Sequence, residues 1–376
     1  MRTKLAKDLG LEFPIFAFTH CRDVAAAVSK AGGMGVLGVA GHSPGNLRME
    51  LDWIENEIGD KPYGVDLLLP AKFVGSEQGG LGVSELDAMI PEEHRRFVRE
   101  LLEKHGVPPL AESVPPRPGF VVGYEQQREV IELLFSRRIR LIASALGPPP
   151  EWMITQGRAK GVAVAALAGT VEHARRHSEA GVDIVVAQGY EAGGHTGEIA
   201  TMVLVPEVVD AVAPLPVLAA GGIANGRQVT AALALGAQGV WMGSAWLTTE
   251  EAETHPVVKE KFLKASSRDT VRSRSLTGKP ARQLRSAWTE AWSNPANPSP
   301  LPMPLQPLLV REAQERIMRT AHKSPGAEQL INYFVGQVVG SMNQVKSVRS
   351  LIEELVQEYA DTMGRLDGWA EDEPAG

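Results

Sequence analysis

The sequence predicts an α/β fold, a parallel TIM (β/α)8 barrel extended by a helical insertion and a helical C-terminal region. Short apolar runs alternate with helix-like segments over the first 250 residues, which is the pattern of parallel β/α architecture. Two of the later runs lead straight into Gly-Gly or Gly-Ser, as ligand-binding strand ends of such barrels do. The 376 residues suffice for one barrel with added helices.

Eight apolar runs are predicted as strands, enough to close a barrel. They comprise residues 15–18, 35–39, 64–69, 141–145, 162–167, 183–188, 217–220 and 239–242. Apolar spacing and capping residues predict helices between several of these strands, most clearly at residues 170–174 and 228–235. Asn225 is expected to cap the second of these helices.

The interval 70–123 is too long for an ordinary barrel loop and is predicted as an insertion. It carries its own charged helical stretch at residues 92–104 and has proline runs at residues 108–109 and 115–118. Two interpretations stay open, a lid over the substrate and a peripheral helix.

After Glu250 the alternation stops and helices dominate, interrupted by a proline-rich link at residues 294–307. The last predicted helix, residues 346–366, has one apolar face and therefore needs a partner surface. The chain is accordingly divided into a barrel at residues 1–250, containing the insertion, and a helical region at residues 251–376 that packs on the barrel.

Composition favours small-molecule partners. The net charge of −7 gives no electrostatic reason to expect nucleic acid or an anionic membrane as a partner. The single cysteine, Cys21, excludes an internal disulfide, and neither a membrane-spanning run nor a signal peptide is found. A cytoplasmic location is therefore expected, and a homo-oligomer is left open.

The most informative motif is AQGYEAGGHTG at residues 187–197, which follows the apolar run at residues 182–186. The strand is expected to end near Gln188, and the glycines would let the backbone approach a flat ligand closely. His195 would then project toward that ligand, where it could move a proton or hydrogen-bond an anion. The alternative is a glycine-rich turn whose histidine bonds only to protein.

Two further motifs, PVLAAGGI at residues 216–223 and GVWMGSA at residues 239–245, each run from a strand into small residues. Backbone N–H groups of Gly221, Gly222, Gly243 and Ser244 could bind a phosphate with little steric hindrance. Two glycine-terminated core strands without a ligand remain the alternative.

Together these three motifs resemble the flavin-binding signature of the nitronate monooxygenase family, formerly called 2-nitropropane dioxygenases. FPIFAFTHCRDVAAAVSKAGGMGVLG at residues 13–38 resembles the family's first strand, first helix and second strand. Residues 270–285 and 336–340 resemble its C-terminal region. The family shares its barrel with flavin-dependent enoyl-acyl-carrier-protein reductases and NADH:quinone reductases, so the motifs specify the cofactor better than the substrate.

The resemblance implies FMN as cofactor, a small-molecule substrate with O2, no metal, and His195 as the catalytic residue. It implies a set of cofactor-binding positions at the strand ends: Ala17, Phe18, Thr19, Asp66, Ser144, Gln188, Gly193, Gly194, Gly221, Gly222, Trp241, Met242, Gly243 and Ser244. Two of these positions depart from the family. Residues 17–19 read Ala-Phe-Thr where Ala-Pro-Met is usual, and Asp66 stands where asparagine is common. An ionised Asp66 could only accept hydrogen bonds and would oppose negative charge on the flavin.

Three functions are weighed. The leading hypothesis is oxidation of alkyl nitronates with O2 to carbonyl compounds and nitrite. The second is an NAD(P)H-dependent reductase of quinones or enoyl thioesters with His195 as proton donor, and the third is a non-catalytic flavin-binding protein.

Other reactive side chains carry less weight. His20 and Cys21 adjoin the first strand, where Cys21 is expected to be structural. His173 and His177 have a metal-compatible spacing but are interpreted as a solvated helix face. A basic run from Lys259 to Arg285 could meet a phosphorylated substrate such as an acyl-coenzyme A, although a charged surface is favoured.

Overall fold

The computed structural model, which describes residues 1–78, 80–110 and 124–371, contains a closed barrel of eight parallel strands. All strands of the described residues, inside and outside the barrel, are numbered in chain order: β1 (Ile15–Thr19), β2 (Met34–Gly38), β3 (Tyr63–Leu68), β4 (Leu141–Ala145), β5 (Ala163–Ala168), β6 (Ile184–Gln188), β7 (Gly194–His195), β8 (Val217–Ala220), β9 (Gly239–Met242), β10 (Thr270–Ser273) and β11 (Ala281–Leu284). The barrel order is β1-β2-β3-β4-β5-β6-β8-β9, closed by pairing of β9 with β1. The predicted barrel is confirmed, and each of its strands lies within one residue of the predicted bounds.

Helices cover the outside of the barrel and build the C-terminal region. They are α1 (Lys4–Asp8), α2 (Arg22–Lys30), α3 (Pro44–Ile58), α4 (Val83–Ala88), α5 (Glu92–Lys104), α6 (Tyr124–Phe135), α7 (Glu151–Lys160), α8 (Val171–Ala180), α9 (Thr201–Val212), α10 (Gly226–Ala234), α11 (Pro256–Lys264), α12 (Ala287–Ser293), α13 (Leu305–Thr320), α14 (Pro325–Leu330) and α15 (Val348–Glu371). Asn225 caps α10 as predicted, because its Oδ1 accepts from Gln228 N at 3.0 Å. Across the described helices, none combines the length and apolarity that a membrane crossing requires.

Two apolar layers define the barrel. Side chains alternate between the two faces of each strand. Those facing inward fill the barrel and include Phe16, Val36, Ala143, Val186 and Trp241. Their chain neighbours face outward and join the larger core between strands and helices. This alternation decides which side chains at the strand ends face the barrel mouth.

The described part of the insertion packs on the C-terminal region. Val98 and Leu101 of α5 share one buried cluster with Trp288 of α12 and Ile317 of α13. His94 Nε2 also lies 2.9 Å from the carbonyl oxygen of Ser299 in the proline-rich link. Residues 111–123 of the predicted insertion, with its second proline run, lie outside the described residues.

The apolar face of α15 finds its partner on the barrel of its own chain. Val348, Ile352 and Leu355 are buried in the core between strands and helices. Glu358 accepts a hydrogen bond from Gly226 N at 2.8 Å and so ties α15 to the start of α10. The last helix therefore packs on the outer face of the barrel beside α10.

The region after residue 250 also contains strands, although its sequence pattern predicts helices there. β10 and β11 form an antiparallel hairpin, and β11 pairs with β7 to make a three-stranded sheet outside the barrel. The strands read TVRS and ARQL, so polar side chains interrupt any apolar run. Burial of Arg282 and Gln283 in this sheet comes from tertiary packing, which periodicity does not report.

Candidate active site

Four of the predicted positions lie on inward-facing registers at the carboxyl end of the barrel. Phe18, Asp66, Gln188 and Trp241 continue the inward alternation of β1, β3, β6 and β9. The rings of Phe18 and Trp241 are stacked, with centroids 6.3 Å apart and planes inclined by 19°. These side chains form the floor of the mouth, where barrels of this type bind their ligands.

Four other predicted positions have side chains on the outward registers. Ala17 and Met242 belong to the core between strands and helices. Ser144 Oγ donates to the carbonyl oxygen of Gly147 at 2.9 Å, and Thr19 Oγ1 accepts from Cys21 N at 3.0 Å. These four side chains pack in the core or bond to nearby backbone. At these positions only backbone groups could contact a ligand at the barrel mouth. Their assignment as cofactor ligands stays a prediction.

The loop after β8 has the backbone that an anion site needs. Gly221 and Gly222 have φ values of +99° and +71°, a region that favours glycine. Within the described chain the amides of Gly221, Gly222 and Gly243 donate no hydrogen bond to protein. By contrast, the first N–H groups of α10 are taken by Glu358 and Asn225. The loop glycines, rather than the start of the helix, therefore offer free donors for a phosphate.

The two glycines before His195 serve different purposes. A Cβ at Gly193 would lie 2.8 Å from the backbone of Val335 and Gly336. Gly193 therefore allows the 335–336 segment to pack closely, and Gly336 N in turn donates to Ser244 Oγ at 2.8 Å. Gly194 has φ of +74° and open space around its missing side chain. Only Gly194 is placed to leave room for a ligand.

His195 is held by the C-terminal sheet. Its strand β7 pairs with β11, so that His195 lies opposite Ala281. His195 Nε2 lies 2.9 Å from Thr277 Oγ1, which also lies 3.1 Å from the carbonyl oxygen of Lys279. Because the Thr277 hydroxyl can donate as well as accept, it can pair with either tautomer of the ring; when it donates to Nε2, Nδ1 carries the proton and is free to donate to a bound anion.

The imidazole of His195 is neutral at neutral pH. The ring is partly exposed at the mouth, yet protein surrounds most of it. Burial, reinforced by the nearby ammonium of Lys279, lowers the pKa of His195 to about 4. A base this weak is better suited to hydrogen-bonding a substrate than to removing a proton from carbon.

Lys279, whose ammonium acts on His195, also lines a separate cavity together with Lys72. A cavity of about 340 Å³ is lined by Lys72, Phe73, Val74, Gly278, Lys279, Pro302 and Met303. Burial and, to a lesser extent, the charge of Lys72 lower the pKa of Lys279. No carboxylate of the described residues raises this pKa in return. The cavity is therefore positively charged. Lys72 comes from the insertion, and no local motif marks it in the sequence.

Asp66 is buried without a partner. Asp66 is 6% exposed, and its Oδ2 has no hydrogen-bond partner among the described residues. Burial raises the pKa of Asp66 well above its ordinary value. The sequence drew attention to this position only through the resemblance to the family.

Other reactive side chains have structural partners. His177 is buried, with Nε2 3.0 Å from the carbonyl oxygen of Leu167, so its interpretation as part of a solvated face is wrong. Its helix packs against β5 and places this face inward, while His173 stays exposed. Cys21 is buried, with Sγ 3.3 Å from the carbonyl oxygen of Glu251, and His20 Nδ1 lies 3.1 Å from that of Gly38.

Sequence comparisons agree with this geometry. A family model described as nitronate monooxygenase matches residues 5–358. A Mycobacterium tuberculosis protein provisionally described as a monooxygenase is 59% identical, over 98% of this chain and 99% of its own length. A Bacillus subtilis protein named as a probable nitronate monooxygenase is 31% identical, over 89% of this chain and 91% of its own length.

Solved structures extend the match to three dimensions. Nitroalkane oxidase from Streptomyces ansochromogenes has a TM-score of 0.78 and 26% identity, covering 96% of this chain and 99% of its own. FabK from Thermotoga maritima has a TM-score of 0.72 and 28% identity, covering 98% of this chain and 99% of its own. From the family match across most of its length, the chain belongs to the nitronate monooxygenase family of flavin-dependent oxidoreductases.

Proposed function

We propose that this enzyme binds FMN and oxidises alkyl nitronates with O2, releasing carbonyl compounds and nitrite. When bound, FMN would take electrons from the nitronate and pass them to oxygen. The residues of the mouth fit such a cofactor. Free amides at Gly221, Gly222 and Gly243 suit a phosphate, and an unpartnered carboxyl oxygen at Asp66 suits a polar ring edge.

The protein's own contribution is to bind and orient the substrate. A nitronate is an anion that has already lost its carbon-bound proton, so it needs hydrogen-bond donors and positive charge rather than a strong base. Lys279 supplies positive charge beside His195, and Lys72 lies close to Lys279 in the same cavity. The observation that carries the proposal is the position of Lys279 beside His195, because a cation at this point favours an anionic nitronate over its neutral parent nitroalkane.

Anaerobic stopped-flow absorbance tests this proposal. The FMN-loaded enzyme is mixed separately with propyl nitronate, the parent nitropropane, NADH and NADPH, and loss of flavin absorbance is followed. Fast bleaching by the nitronate alone is the expected result. Fast bleaching by a nicotinamide would replace the proposal with the reductase hypothesis, and faster bleaching by nitropropane than by its nitronate would refute the nitronate as the preferred substrate.

The choice of His195 is tested with a matched pair. His195→Gln keeps a hydrogen-bond donor of similar reach, while His195→Phe removes it and keeps the ring. If His195 orients the nitronate, the Gln variant should retain more of the bleaching rate than the Phe variant. Equal rates in both variants and the wild type would remove His195 from the proposed site.

A further inference from the structure

Asp66 occupies an apolar part of the barrel mouth. Its backbone pairs with Gly38 of β2 on one side and Ala143 of β4 on the other. Neither neighbour has a side chain that could donate a hydrogen bond. Along β3 itself, Gly64 and Leu68 are the nearest residues on the same face. The carboxyl group is thus buried where β2, β3 and β4 supply no polar side-chain partner for its Oδ2.

No described cation compensates a negative charge at this position. The segments that follow β1 and β2 carry His20 and His42, whose Nδ1 atoms lie 3.1 Å from Gly38 O and 3.3 Å from Val39 O. From α6, Gln127 approaches with a neutral amide that donates to Leu68 O. Burial is the one influence that moves the pKa of Asp66, and it acts against the ionised form.

We propose that Asp66 works as a neutral carboxylic acid that donates a hydrogen bond to bound FMN, and that ionisation of Asp66 weakens FMN binding. This inference rests on the proposed flavin site. A protonated carboxyl group has one O–H donor and one free acceptor, which is the pattern that an asparagine amide offers. The aspartate therefore does the work of an amide as long as it keeps its proton.

The pH dependence follows from linkage. FMN seated on the mouth would cover the little surface that Asp66 still exposes, and so would further penalise the carboxylate. Binding then favours the protonated form, and affinity falls once the pH exceeds the pKa of Asp66 in the free protein. If only the neutral form binds, the dissociation constant rises about tenfold for each further pH unit.

The test measures FMN affinity against pH by quenching of flavin fluorescence. Asp66→Asn should bind FMN as the wild type does at low pH and should lose the steep rise in dissociation constant at high pH. Asp60→Asn is the matched control, because it removes an exposed aspartate at the other end of β3. The FMN phosphate itself titrates near pH 6. This effect is the same for the wild type and both variants, so it does not change the comparison between them. Parallel curves for the wild type and Asp66→Asn would overturn the proposal.

Infrared spectroscopy separates this inference from the existence of the flavin site. Protein labelled with 13C-aspartate and free of FMN should show the carbonyl band of a protonated carboxylic acid at neutral pH. The band should persist in Asp60→Asn, disappear in Asp66→Asn, and fade in the wild type as the pH rises. A missing band in the wild type would refute a neutral Asp66 even if FMN binds. An intact band without FMN binding would instead refute the flavin role, and with it the donation to FMN.

Discussion

Replacing Thr277 with valine should disturb His195 while leaving the shape of the site almost unchanged. Thr277 Oγ1 lies 2.9 Å from His195 Nε2 and is the hydroxyl group that orients the ring. Valine removes the hydroxyl and leaves Nε2 without its hydrogen-bond partner. A hydrogen bond of this kind contributes about 0.5–1.5 kcal/mol. That range corresponds to a decrease of about two- to tenfold in kcat/KM for a nitronate.

The assay is stopped-flow bleaching of the FMN-loaded enzyme by propyl nitronate, with thermal melting measured on the same samples. Thr277 also bonds to the backbone of Lys279, so some loss of stability is expected in the variant. Thr277→Ser restores the hydroxyl and should recover most of the rate. Wild-type kinetics in Thr277→Val, or no recovery in Thr277→Ser, would refute the argument that this hydrogen bond orients His195.

Three further outcomes follow from the same geometry. Lys279→Gln should raise KM for an anionic nitronate by about threefold to tenfold and reduce its salt dependence, as measured by steady-state kinetics in rising salt. Because burial lowers the pKa of His195 to about 4, the bleaching rate should hold level as the pH falls from neutral and change only near that value; a change near pH 6.5 would contradict this. Gly193→Ala should lower the melting temperature, with a loss of about 1–3 kcal/mol, because its Cβ would meet the backbone of Gly336. Gly194→Ala has open space and should cost only the strain of its positive φ, and a wild-type melting temperature in Gly193→Ala would contradict the packing argument.

Local sequence patterns were sufficient to predict the barrel. Its strands are short apolar runs that end in glycine or polar residues, and burial on both faces makes such runs stand out. The helix at residues 92–104 was also predicted with its observed bounds, because charged residues and apolar spacing define it locally. The hairpin of β10 and β11 was missed, since strands of four residues with buried polar side chains carry no such pattern.

The candidate site was predicted less completely. The sequence located the strand ends, but it did not separate inward side chains such as Asp66 and Trp241 from outward ones such as Ser144 and Met242. That distinction depends on the register between neighbouring strands, which is a property of the closed barrel. Lys72 was missed because its approach to Lys279 joins the insertion to the C-terminal hairpin.

The barrel, the glycine loops at its carboxyl end and the loop that carries His195 could be recognised in the sequence, because each of these depends on residues that are close together in the chain. Contacts between distant segments set the chemistry of the site. Thr277, 82 residues from His195 in the chain, holds its ring through a hydrogen bond to Nε2. Burial at the barrel mouth keeps His195 neutral and favours a proton on Asp66. Hydrogen bonding and burial depend on which distant segments meet in space, and those contacts set the charge that a substrate encounters.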